Sequence, residues 1–98
     1  MRVLIRYRVK PEHVERNLEL LRDVYAELES DRPEGLRYAT FQLEDGVSFL
    51  AFVEADGGPG PVPGSQLDAF RRYRETLDER CDEPPVVTQL HEVGSYRS

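Results

Sequence analysis

Tryptophan is absent from this 98-residue chain, and cysteine, methionine and lysine occur once each. A lone cysteine, Cys81, excludes an internal disulfide and fits a reducing compartment. It reads as a small buried hydrophobe near a helix end. Basic charge is scarce: 13 Lys and Arg face 19 Asp and Glu, a net charge of −6. That balance argues against nucleic acid and anionic membranes as partners, since both favour basic patches. No apolar run is long enough to span a bilayer, and Met1 leads directly into a strand, so a cytoplasmic location is the default. The two histidines, His13 and His91, are isolated, and the carboxylates fall on outer helix faces. No metal set is expected. No P-loop, dinucleotide-binding glycine pattern or Ser-His-Asp arrangement occurs, and no cofactor is expected.

What is present is strongly patterned. In residues 2–9, Val3, Ile5, Tyr7 and Val9 alternate with Arg2, Leu4, Arg6 and Arg8, which predicts a strand. Pro11 suits the start of a helix running to about Ser30. Its stripe is Val14, Leu18, Leu21, Tyr25 and Leu28. Residues 35–54 read as a hairpin around Asp45-Gly46, with Phe41 opposite Leu50, Ala39 opposite Phe52 and Arg37 opposite Glu54. The Gly- and Pro-rich stretch 56–64 is either a connector or a lid. Ser65 is the expected N-cap of a second helix, with stripe Leu67, Phe70, Tyr73, Leu77 and Cys81. Pro84-Pro85 ends it, and 86–93 form the last strand.

The order β-α-β-β-α-β predicts a single α+β domain over 1–98, a ferredoxin-like four-stranded antiparallel sheet with both helices on one face. The sequence pattern assigns Arg6 and Arg8 to the uncovered face, together with Tyr38, Thr40, Gln42, Phe49, Gln89 and His91. That mixed face is too apolar for a monomer and predicts a homodimer. A chain of this size buries only about 60–65% of its unfolded surface, so a partner subunit would help. His91 is the candidate catalytic base or carbonyl polariser, against a plain hydrogen bond within the interface. Arg6 and Arg8 would grip a carboxylate or phenolate, or pair with acidic residues such as Glu54 or Glu92 across the dimer. Tyr38, Thr40, Gln42 and Gln89 would supply hydrogen bonds beside Phe49, to a ligand or to an interface network.

The opening VLIRYRVKPEHVE, the stretch GLRYATFQLEDGVSFLAFVEAD and the helix FRRYRETLDERCDEPP before a terminal strand together resemble the dimeric α+β barrel superfamily. Within it, the layout is most similar to the antibiotic-biosynthesis-monooxygenase-like group of small bacterial proteins. The resemblance implies a dimeric barrel acting on a small, polar aromatic molecule, as a cofactor-free monooxygenase-like enzyme. Its alternative is a non-catalytic, ligand-binding or stress-response accessory module. The chain departs from the haem-degrading members: its first strand has no Asn, its second helix no His, and Trp is missing throughout. The quinone-forming members' Asn and Trp also lack counterparts here.

Overall fold

The computed structural model describes residues 1–56 and 62–97. Strand β1 spans Arg2–Arg8. A short 3₁₀ turn, Pro11–His13, leads into helix α1, Val14–Asp31. Strands β2 and β3 are Leu36–Gln42 and Ser48–Ala55. Helices α2 and α3 are Asp68–Glu75 and Leu77–Arg80, and β4 is Val86–Gln89. The four strands form one sheet in the order β2-β3-β1-β4, antiparallel throughout. This is the expected ferredoxin-like arrangement. The connector-or-lid question for 56–64 falls mainly on 57–61, outside the described residues.

The hairpin register is the expected one: Arg37 pairs with Glu54, Ala39 with Phe52 and Phe41 with Leu50. The turn differs from the two-residue form. Leu43 N–H donates to Ser48 O at 2.8 Å, and Gly46 N–H to Leu43 O at 3.0 Å, so four residues make the loop. Only Gly46 takes a positive φ, 80°. Asp45 replaces the second left-handed residue by chemistry. Its Oδ1 accepts from Val47 N–H at 2.9 Å and Ser48 N–H at 2.8 Å, and its Oδ2 from the Ser48 hydroxyl at 2.6 Å.

The second helix also departs from expectation. It begins at Asp68 rather than after Ser65, and no side chain of its own caps it. Instead Glu27 reaches across from α1, and its Oε1 accepts from Ala69 N–H at 3.3 Å. A carboxylate there also suits the positive end of the helix dipole. The helix breaks at Thr76. Its hydroxyl donates back to Arg72 O at 3.3 Å, a contact that bends helices. Arg80 Nη2 takes Tyr73 O at 2.9 Å, a carbonyl that a continuous helix would use internally. The last strand stops at Gln89, four residues short of the expected end.

The larger correction concerns which sheet face the helices cover. Val3, Ile5 and Tyr7 lie opposite Val53, Ala51 and Phe49, and all six turn toward the helices. Pairing carries the same parity to β2, placing Tyr38, Thr40 and Gln42 on the covered side as well. In β4, Gln89 sits opposite Val3 and shares its side. The uncovered face is instead Leu4, Arg6, Arg8, Ala39, Phe41, Leu50, Phe52, Val86 and Thr88. Polarity misled the expectation. Thr40 and Gln42 of the covered face have partners, whereas Phe41 and Val86 of the bare face are exposed to 59% and 60%. The core joins Tyr7, Val9 and Phe49 of the sheet side to Leu20, Leu21 and Val24 of α1 and Tyr73 of α2.

Two predictions follow from the turn. A Cβ added at Gly46 would meet nothing within 4 Å, so Gly46→Ala carries backbone strain alone. It is expected to cost about 1 kcal/mol in urea unfolding. The Ser48 hydroxyl and the two amides lower the Asp45 carboxyl from 3.8 to about 2. Its folded pKa lies below the unfolded value, so its contribution is present above about pH 4 and lost as pH falls toward 2. Asp45→Asn should flatten stability over that window; an acid titration as steep as the wild type's would contradict this.

Candidate functional site

Two groups of polar side chains lie between sheet and helices. The first is a closed knot. Arg80 is 4% exposed, and its Nε donates to Asn17 Oδ1 at 3.0 Å. Its Nη1 donates to the Thr76 hydroxyl, and its guanidinium stands 5.0 Å over the Tyr73 ring. The Tyr7 and Tyr73 hydroxyls meet, and Tyr7 stacks on Phe49 with ring centres 5.4 Å apart. Among the described residues no carboxylate pairs with Arg80. Asn17 Nδ2 is buried without a hydrogen-bond partner. Desolvation raises Tyr7 and Tyr73 and lowers Arg80 from their ordinary values. Burial likewise raises the Cys81 thiol. At neutral pH the phenols and the thiol are therefore protonated, and the knot binds elements together rather than supplying a base.

The second group lines an open groove between α1 and the edge strand β2. One part, of about 370 Å³, has Leu18, Leu21 and Phe49 as apolar walls and Arg22, Thr40 and Gln42 as polar ones. A second part, about 270 Å³, is lined by Leu28, Pro33, Leu36 and Tyr38, with Glu29 and Arg32 at its rim. Tyr25 borders both. Its hydroxyl lies 2.7 Å from Thr40 Oγ1, and its ring packs against Tyr38 at 5.4 Å. Tyr38 in turn meets Phe70 edge-on at 5.6 Å. Burial raises both Tyr25 and Tyr38, so each serves as a neutral hydrogen-bonding group. Gln42 Nε2 donates to Gly46 O at 3.0 Å, leaving its own carbonyl oxygen available. Arg22 is exposed and makes no ion pair among the described residues.

The eight residues expected to share one cavity separate into three places. Tyr38, Thr40, Gln42 and Phe49 line the groove under α1. Arg6 and Arg8 lie on the opposite, bare side of the sheet, beside a hollow of about 510 Å³ that Asp45 and Glu83 also border. Arg8 Nε is 3.9 Å from Asp82, while Glu54 and Glu92, the expected partners of these arginines, are taken by Arg2. Gln89 is exposed on the edge strand, and His91 lies beyond it in an exposed tail. His91 therefore joins neither Arg6 nor Tyr38. It lies past the last strand pairing, because β4 ends at Gln89. Sequence reasoning missed Arg22 and treated Tyr25 only as part of a stripe. A tyrosine in an apolar stripe must place its hydroxyl somewhere, and that was the available signal.

No group of three or more His, Cys, Asp or Glu gathers into a metal-binding set among the described residues. No described helix is long and apolar enough to cross a membrane.

The knot yields a stability prediction. Arg80→Ala strands Asn17 Oδ1 and should cost about 2–3 kcal/mol. Removing both polar partners, as in Asn17→Leu with Arg80→Met, should recover much of that loss. Chemical denaturation of the single and double variants measures the difference.

No family model and no curated relative matches the chain. Solved structures do. Rv0793 of Mycobacterium tuberculosis superposes with a TM-score of 0.70 at 19% identity, over 95% of this chain and 97% of that one. A protein described as an antibiotic biosynthesis monooxygenase gives 0.66 at 20%, over 95% and 98%. PA3566 of Pseudomonas aeruginosa gives 0.71 at 16%, over 95% and 93%. The chain thus has the ferredoxin-like α+β fold of the antibiotic-biosynthesis-monooxygenase-like proteins.

Proposed function

We propose that this protein is a homodimer whose groove between α1 and β2 binds a small, polar aromatic molecule. The observation that carries the reading is the groove's makeup. Leu18, Leu21 and Phe49 offer an apolar bed, and the unpaired Arg22 stands at its side with Thr40 and Gln42. An apolar pocket with a few convergent polar groups is the usual form of a small-molecule site. An aromatic ring would lie on the bed, and its carboxylate or phenolate would face the Arg22 guanidinium.

In its catalytic form the reading is a cofactor-free monooxygenase-like activity; several structural neighbours bear the monooxygenase name. Arg22 would then stabilise the anionic form of the substrate, and the groove would limit its contact with water. The other form is a ligand-binding module without catalysis. It is favoured by a groove lining that holds no His or Cys among the described residues. Dimerisation is proposed through the bare sheet face, where Phe41 and Val86 are exposed beside Leu50 and Phe52. A stable interface of this kind buries above ~1,200 Å² in total.

Thermal stabilisation by a panel of small phenols, quinones and carboxylates tests the binding. Arg22→Ala and Gln42→Ala should each weaken a positive compound by about 1–3 kcal/mol. His91→Ala should leave binding unchanged. If no compound shifts the wild type, the groove is not a ligand site. Dimerisation has its own test. Phe41→Asp should leave the fold intact, since the side chain is 59% exposed, and produce monomers in light scattering. A monomeric wild type at micromolar concentration would overturn the dimer.

A further inference from the structure

The two parts of the groove run along the same line between α1 and β2, and one side chain belongs to both. Tyr25 leaves α1 and reaches Thr40 on the strand, where the two hydroxyls lie 2.7 Å apart. Tyr38, two residues before Thr40 on the same strand face, packs against the Tyr25 ring from the other part. The ring is thus held at its tip by a hydrogen bond and on its side by an aromatic contact. It stands as a bar between a part bordered by Arg22 and Phe49 and a part bordered by Leu28, Pro33 and Leu36.

We propose that Tyr25, latched to Thr40, sets the length of the ligand: one aromatic ring with one anionic group in the Arg22 part, and a linear two-ring acid only when the latch is released. The proposal rests on the groove being the ligand site. Each part exceeds the ~150 Å³ that encloses a benzene molecule in an engineered cavity, so each has room for a ring. A ligand filling both meets the Tyr25 ring, which borders each part. The latch is a single hydrogen bond between neutral groups, weak enough to be exchanged for ligand contacts. Charge gives the orientation. The acid group belongs beside Arg22, which makes no ion pair among the described residues, and the distal ring beside the aliphatic walls of the other part, where Arg32 stands together with Glu29.

The test compares para-hydroxybenzoate with its linear biphenyl homologue by calorimetry on the full chain. The readout is the ratio of their affinities, which a general loss of packing would not move toward the longer acid. Tyr25→Phe and Thr40→Val each remove one half of the latch with little change in volume. Each should raise the ratio in favour of the longer acid at least threefold. Tyr25→Ala removes the bar and should raise it at least tenfold; should that variant not fold, the two latch variants decide the matter. An unchanged ratio in Tyr25→Phe and Thr40→Val, with para-hydroxybenzoate still bound by the wild type, overturns the partition while leaving the groove as a ligand site. Failure of both acids to bind wild type and variants alike overturns the partition and the binding reading together.

Discussion

The pairing of β1 with β3 is the constraint on which the rest of this molecule depends. Seven residues of β1 lie opposite seven of β3, from Arg2 with Glu54 to Arg8 with Ser48. Because side chains alternate with period two, this one register decides the face of every residue in the sheet. It places Tyr7 on Phe49 beneath the helices and leaves Arg6 and Leu50 bare. Both neighbouring strands inherit the choice. The groove exists because β2 presents Tyr38, Thr40 and Gln42 toward α1, and the bare face exists because Phe41 and Ala39 turn away.

The helical layer meets that constraint from above with polar as well as apolar contacts. Arg80 joins the end of α3 to Asn17 of α1, to Thr76 and to the Tyr73 carbonyl, all without a carboxylate. Neutral acceptors suit a guanidinium that is nearly buried, since hydrogen bonds spread its charge over several dipoles. The same guanidinium takes the Tyr73 carbonyl at the break between α2 and α3. The arrangement specifies where the chain turns after α2, and therefore where β4 can join the edge of β1.

Much of this was legible in the chain itself. Alternation in 2–9, the four-three spacing in α1 and the Asp-Gly pair located the strands, the long helix and the hairpin register. The side of the sheet was not legible for β2, β3 and β4. Parity within a strand is local, but the relation between strands depends on pairing across long separations in sequence. Comparing polarities gave the wrong sign, because Thr40 is satisfied by Tyr25 and Gln42 by Gly46 O, neither visible in a strand pattern. His91 failed for a different reason: the run 86–93 alternates well, yet its pairing with β1 stops where Leu90 N–H donates to Arg2 O. Arg22 escaped notice because a charged residue on a helix normally reads as solvated surface. Only the position of α1 against an edge strand gives it a neighbouring groove.

The cap that Glu27 provides to Ala69 has a kinetic meaning. Helix α2 has eight residues and no capping side chain of its own. Helices shorter than ~12–15 residues are marginal in water when alone. Its first turn therefore gains its acceptor only after α1 has formed and docked, a contact between residues 42 positions apart. Loop closure precedes the reward for such distant contacts, which sets an order of assembly. Helix α1 and the hairpin can organise by short-range contacts, and α2 condenses onto them afterwards. In the native protein the same contact ties the start of α2 to α1, while Phe70 and Tyr73 hold it to the sheet.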